Sequence, residues 1–200
     1  MMKNILSVIA ISMLLSGCLP TIFAGATRAT VAVAKDRSVG ETIDDTKISA
    51  KIKASFIKDG FRTLYSKINV EVMEGRVMYT GTVDSEEDIM TALEIAWKQN
   101  GVKEVLNELQ VDKKSNHFDA VQYTRDSLIT AQVKARSIAA HDVKFVNYTI
   151  VTYEDVVYIF GIARSMEELE TVARIASEVR GVKKVVSHAR IKEVPEVVKD

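Results

Sequence analysis

The chain has 200 residues, with 27 basic and 27 acidic side chains and one cysteine. Formal neutrality removes the long-range pull by which nucleic-acid-binding proteins collect their ligand. A lone cysteine excludes an intramolecular disulfide, even in a compartment that would permit one.

Residues 1–17 read as a targeting segment rather than as part of the fold. Lys3 supplies the positive start, and Ile5 to Leu15 is apolar apart from Ser7 and Ser12. That stretch is too short to span a bilayer as a stable helix. Leu15-Ser16-Gly17-Cys18 follows, with small residues leading into the only cysteine, which is the pattern of a lipobox. It predicts cleavage before Cys18 and acylation, palmitate included, of that residue. One acyl chain anchors only marginally at about 0.8 kcal/mol per buried methylene, so a multiply acylated cysteine makes a lasting anchor. Leu19, where enteric-type sorting uses Asp for inner-membrane retention, favours the outer membrane by analogy. Residues 18–40, rich in Ala and Thr, read as a lipidated tether.

The first folded segment spans 41–112. Asp45 is the expected N-cap of a helix that buries Ile48, Ile52 and Phe56 and stops at Gly60. Ile68, Val70 and Val72 alternate as a strand, Glu74-Gly75 turns, and Val77 to Gly81 returns. Ser85-x-x-Asp88 resembles a capping box, and Glu86, Glu87 and Asp88 suit the positive end of the helix that follows. That helix carries an apolar stripe of Ile89, Ala92, Leu93 and Ala96, with Trp97 expected in core or inter-domain packing. Asn100-Gly101 closes it, and Val102 to Val111 forms a third strand.

After a polar linker, 113–121, the order repeats over 122–192. A helix is expected from Asp126 with Ile129 and Val133 inward, then alternation at Tyr148, Ile150 and Thr152. A turn at Glu154-Asp155 leads to a strand from Val156 to Gly161. Ser165-x-x-Glu168 is a full capping box before a stripe of Leu169, Val172, Ala173 and Ala176. Gly181 ends that helix, Val182 to Ile191 is the last strand, and 193–200 is a charged tail.

The two halves are copies. Gly81, Ser85 and Gly101-Val102-Lys103 recur as Gly161, Ser165 and Gly181-Val182-Lys183 at an offset of 80, and Asp45-x-x-Ile48 recurs as Asp126-x-x-Ile129 at 81. A period this long is too large for a solenoid. The expected fold is α+β: two tandem αββαβ domains, each a three-stranded mixed sheet with two helices on one face.

Chemistry-bearing constellations are missing from the sequence. His117, His141 and His188 are widely separated, and no G-x-S-x-G, phosphate loop or H-E-x-x-H occurs. The reading is therefore of a non-enzyme with no catalytic or metal-binding residue, no cofactor, and neither a small-molecule substrate nor nucleic acid as partner. The first helix of each repeat is basic: Lys47, Lys51, Lys53 and Lys58 in one; Arg125, Lys134 and Arg136, near Leu128 and Ile138, in the other. Each cation near an anionic surface contributes about 1 kcal/mol, and lysine stems can lie along acyl chains. A solvated helix face would look the same in sequence.

The αββαβ order, its duplication behind a lipobox, and Asp36-Arg37-Ser38-Val39-Gly40, Ile68-Asn69-Val70, Asn107-Glu108, Ile129-Thr130 and Ile175-Ala176-Ser177-Glu178-Val179 together resemble the BON domain, as found in dual BON-domain outer-membrane lipoproteins. The resemblance implies a lipid-anchored protein on the periplasmic face of the outer membrane that binds anionic phospholipid and maintains outer-membrane integrity. It implies a lipid contact on the first helix of the second repeat, hence at Arg125, Leu128, Lys134, Arg136 and Ile138. Family members can carry an aromatic at the position of Leu128, which lacks the amphipathic ring. The alternative is an adaptor for envelope-assembly or cell-wall machinery, with envelope proteins as partners.

Overall fold

A computed structural model describes residues 39–58, 66–112 and 119–192. Cys18, the tether before residue 39, Gly60, most of the linker with His117, and the tail lie outside the described residues.

Helix α1 runs Val39–Lys58, followed by β1 (Ile68–Met73), β2 (Arg76–Val83), α2 (Glu86–Trp97) and β3 (Glu104–Val111). The second domain repeats the order: α3 (Ala120–Ala139), a short 3₁₀ turn, β4 (Tyr148–Tyr153), β5 (Val156–Ala163), α4 (Met166–Ser177), β6 (Lys184–Ser187) and β7 (Arg190–Ile191). In each domain a hairpin pairs antiparallel, and the strand after the second helix returns parallel to the hairpin's second strand. The sheets are mixed, as expected.

Both first helices begin earlier than their acidic residues suggested. Asp45 sits inside α1, and Asp126 inside α3, whose N-cap is Asp119: its Oδ1 accepts from the amides of Val121 and Gln122, both at 2.9 Å. The two buried aspartates cap something else. Asp45 accepts from the amides of Glu74 and Gly75, and Asp126 from those of Glu154 and Asp155, each at 2.9 Å. Both turns have positive φ at their two central residues, 54° and 76° in one and 50° and 66° in the other, the geometry of a tight hairpin. A helix carboxylate thus satisfies turn amides that the strand ladder leaves over.

Strand side chains alternate between two cores. Ile68, Val70, Val77 and Tyr79 face α1 and α2, while Ile150, Val157 and Ile159 face α3 and α4. The opposite faces meet: Met73 and Met78 pack with Tyr158, Phe160 and Ile162 in a third core. The two sheets therefore stack face to face with helices outside, in four layers. Central strands β2 and β5 are buried on both sides, which accounts for the nearly unbroken apolar run of β5, while β2 also buries Arg76, Thr80 and Thr82.

Other details depart from expectation. Trp97 is 55% exposed instead of buried, while Ile95 and Ile175 join the helix cores. Gly81 and Gly161 lie within strands, opposite Ile68 and Tyr148. Ser165 accepts from the Glu168 amide at 3.2 Å, but the Glu168 carboxylate bonds the amides of Lys144 and Arg164, so the reciprocal half of the capping box is spent on neighbouring loops. The last strand is broken at His188, whose ring is 2.7 Å from Glu108 of the first domain.

Candidate functional site

Helix α3 has a sharply divided surface. Asp126, Ile129, Val133 and Ser137 are buried. At about 100° per residue, the lane directly opposite consists of Leu128, Ala131, Ala135 and Ile138. All four are exposed, Leu128 by 59% and Ile138 by 66%. None of the described residues covers this lane, which extends about 15 Å along the axis. Arg125 and Arg136 border one side, Lys134 the other. The only acid in the helix, Asp126, points inward.

The cations are held differently. Arg125 Nη1 lies 3.3 Å from Oδ2 of Asp155, a carboxylate almost wholly removed from solvent. Lys183 Nζ reaches the same oxygen at 2.8 Å, and Gln122 donates to Oδ1 of both Asp155 and Asp126. The hydrogen bond from Lys183 holds the Asp155 carboxyl below its ordinary range, against burial, with Gln122 and the charges of Lys183 and Arg125 adding to it. Arg125 is thus oriented from below while half its side chain stays in solvent. Arg136 Nη1 approaches the carbonyl of Glu178 at 3.5 Å. Lys134 adds its field, after Lys53, at Glu71 of the first domain, whose carboxyl is raised chiefly by burial.

All five residues named from the sequence lie on this helix's exposed surface. Placing the helix start at Asp126 missed Val121 and Tyr123, 71% and 62% exposed on its first turn. The signal was available in Asp119 two and three residues ahead of the amides it caps. Tyr123 lies on the Lys134 border and carries the amphipathic ring that Leu128 lacks.

Helix α1 differs. Lys47 stands where α3 has Leu128, and it pairs with Asp44 at 3.3 Å. Lys53 is half-buried, and no large apolar lane separates the cations, although Ile57 is 49% exposed. Among the described residues, no group of side chains could hold a metal ion, and no helix is long and apolar enough to cross a membrane.

The repeats have recognisable relatives. A family model described as "BON domain" matches residues 44–113 and again 125–193. The "Uncharacterized protein in gshII 5'region" of Anaplasma centrale is 46% identical over 150 residues, which is 75% of this chain and 96% of that one. "Outer membrane lipoprotein DolP" of Haemophilus influenzae is 28% identical over 185 residues, 92% of this chain and 94% of its own length. A "21 kDa hemolysin" of Actinobacillus pleuropneumoniae is 28% identical over 75% of each chain. With the same αββαβ unit built twice and both units matched, this chain belongs to the BON-domain family.

Proposed function

We propose that this chain is an outer-membrane lipoprotein, held by an acylated Cys18 on the periplasmic face, whose α3 helix lies on anionic phospholipid and so helps maintain the outer membrane. The observation that carries the reading is the exposed Leu128–Ala131–Ala135–Ile138 lane with cations on both borders and no exposed acid on the helix. Apolar residues seat at the acyl boundary while Arg125, Lys134 and Arg136 meet phosphate. Three cations and two large apolar side chains make a weak peripheral contact. The anchor turns it into a local equilibrium at high effective concentration. The likeness to an outer-membrane lipoprotein over nearly the whole chain supports the location. The protein works by binding, and no residue is assigned a catalytic role.

The test is co-sedimentation of residues 19–200 with zwitterionic vesicles and with vesicles rich in phosphatidylglycerol or cardiolipin. The expected result is salt-sensitive binding to the anionic vesicles alone, lost in Lys134→Glu/Arg136→Glu. Unchanged binding by that double variant would remove α3 from the contact. Acylation is tested separately by palmitate labelling, which Cys18→Ala should abolish. The adaptor reading rests on a different observation, the exposure of Met90 and Trp97 on α2.

A further inference from the structure

The outer face of α2 carries a second apolar lane. Met90 and Trp97 are 66% and 55% exposed, with half-buried Leu93 between them. The equivalent positions of the second domain are Glu170, Ala173 and Ser177, so the fold does not require this lane. Glu87 and Glu94 run beside it, and α2 contains no basic residue. Just past its end, Lys98 pairs with Glu94 at 2.7 Å.

This surface is the charge-reversed counterpart of α3. One helix presents apolar side chains among carboxylates, the other apolar side chains among cations. Each lies in an outer layer, on opposite sides of the stacked sheets, so both are available at once. An anionic bilayer is a poor occupant of α2, because its acidic lane would face phosphate.

We infer that α2 of one molecule docks on α3 of a second copy of this chain. Met90 and Trp97 pack along Leu128 and Ile138, and Glu87 and Glu94 meet Arg125, Lys134 and Arg136. The contact is heterologous, so it propagates head to tail instead of closing a dimer. A single helix pair buries less than a standard interface of about 800 Å² per partner, which places the contact among weak, transient associations. Confinement of anchored copies to one surface raises the effective concentration. The contact uses the α3 face assigned above to lipid, so anionic vesicles compete with it, but it does not depend on lipid binding.

The experiment is sedimentation velocity on residues 19–200 over a concentration series, with Trp97 emission read in parallel. Wild type should associate beyond dimer, more weakly at high salt, with Trp97 emission moving to shorter wavelength. Trp97→Glu and Leu128→Glu should each be monomeric, with wild-type circular dichroism. Mixed in equal amounts they should form a dimer and stop there, since only one pair of intact faces remains. A monomeric wild type throughout, association of Trp97→Glu alone, or a mixture that stays monomeric would each overturn the inference. Lipid binding is scored apart: Trp97→Glu should still sediment with phosphatidylglycerol vesicles. If no variant binds vesicles yet the mixture dimerises, the membrane reading fails and this one stands.

Discussion

Arg76 of the first domain donates from Nη1 to the backbone carbonyl of His188 in the second at 2.9 Å, through the break in the last strand. Its Nε donates to Glu104, which also accepts from Arg190 at 2.7 Å, and its guanidinium lies 5.2 Å from the centroid of the Phe160 ring. A buried cation joins the two repeats where the second repeat has only Val156.

Replacing that cation by its counterpart, Arg76→Val, should therefore cost stability. The His188 carbonyl loses its donor, and Glu104 keeps only Arg190. A loss of about 2 kcal/mol is expected, read as a lowered urea midpoint. A midpoint unchanged within about 0.5 kcal/mol would mean the apolar core between the sheets holds the domains without this link.

Asp155 makes stability depend on pH. Its folded carboxyl titrates below the ordinary range. Its contribution is thus complete above the unfolded value of about 4 and is lost as pH falls through the folded one. Asn can occupy the left-handed position at φ 66°, keeps the shape, and removes the charge together with one of the two acceptor oxygens. Asp155→Asn should be less stable than wild type at neutral pH, and the gap should shrink below about pH 4. A gap independent of pH in paired urea titrations would deny the carboxylate this role.

Two isoleucines of α3 should separate folding from binding. Ile129 is 2% exposed, and Ile129→Ala should cost about 2–5 kcal/mol. Ile138 is 66% exposed, so Ile138→Ala should stay within about 0.5 kcal/mol of wild type. The same variant should weaken anionic-vesicle binding by about five-fold, as less apolar surface is buried. Thermal unfolding and co-sedimentation of the pair check both halves.

Gly81 allows β1 to approach β2 closely. A Cβ there would lie 2.1 Å from the carbonyl oxygen of Lys67, and its φ is +130°. At Gly161 a Cβ would come within 2.5 Å of the Asn147 carbonyl, without a left-handed φ. Gly81→Ala should cost more than about 2 kcal/mol and more than Gly161→Ala. Equal melting temperatures for the two variants would show that backbone conformation adds nothing to the clash.

Much of the domain plan was legible because it is local. Ile48, Ile52 and Phe56 repeat at helical spacing, Ile68, Val70 and Val72 alternate, and Ser85 and Ser165 do cap the helices they precede. Asp45 and Asp126 misled for a physical reason. An aspartate before an apolar run reads as an N-cap, yet the amides these carboxylates satisfy lie about thirty residues ahead in a turn. Trp97 misled too: a large aromatic is a good core residue, but the buried face of α2 is already filled by Ile89, Ala92, Ile95 and Ala96.

By itself, the sequence determined that one αββαβ unit occurs twice, that Ser85 and Ser165 cap the second helix of each, and that a basic helix with Leu128 and Ile138 opens the second unit. Periodicity and capping act over a few residues, so they can be read along the chain. Only the tertiary structure decided that the two sheets stack through Met78 and Phe160, that Arg76 reaches His188, and that α2 and α3 turn oppositely charged apolar lanes outward. Those relationships join surfaces remote in sequence, where side-chain shape and burial select the partner and no local pattern records the choice.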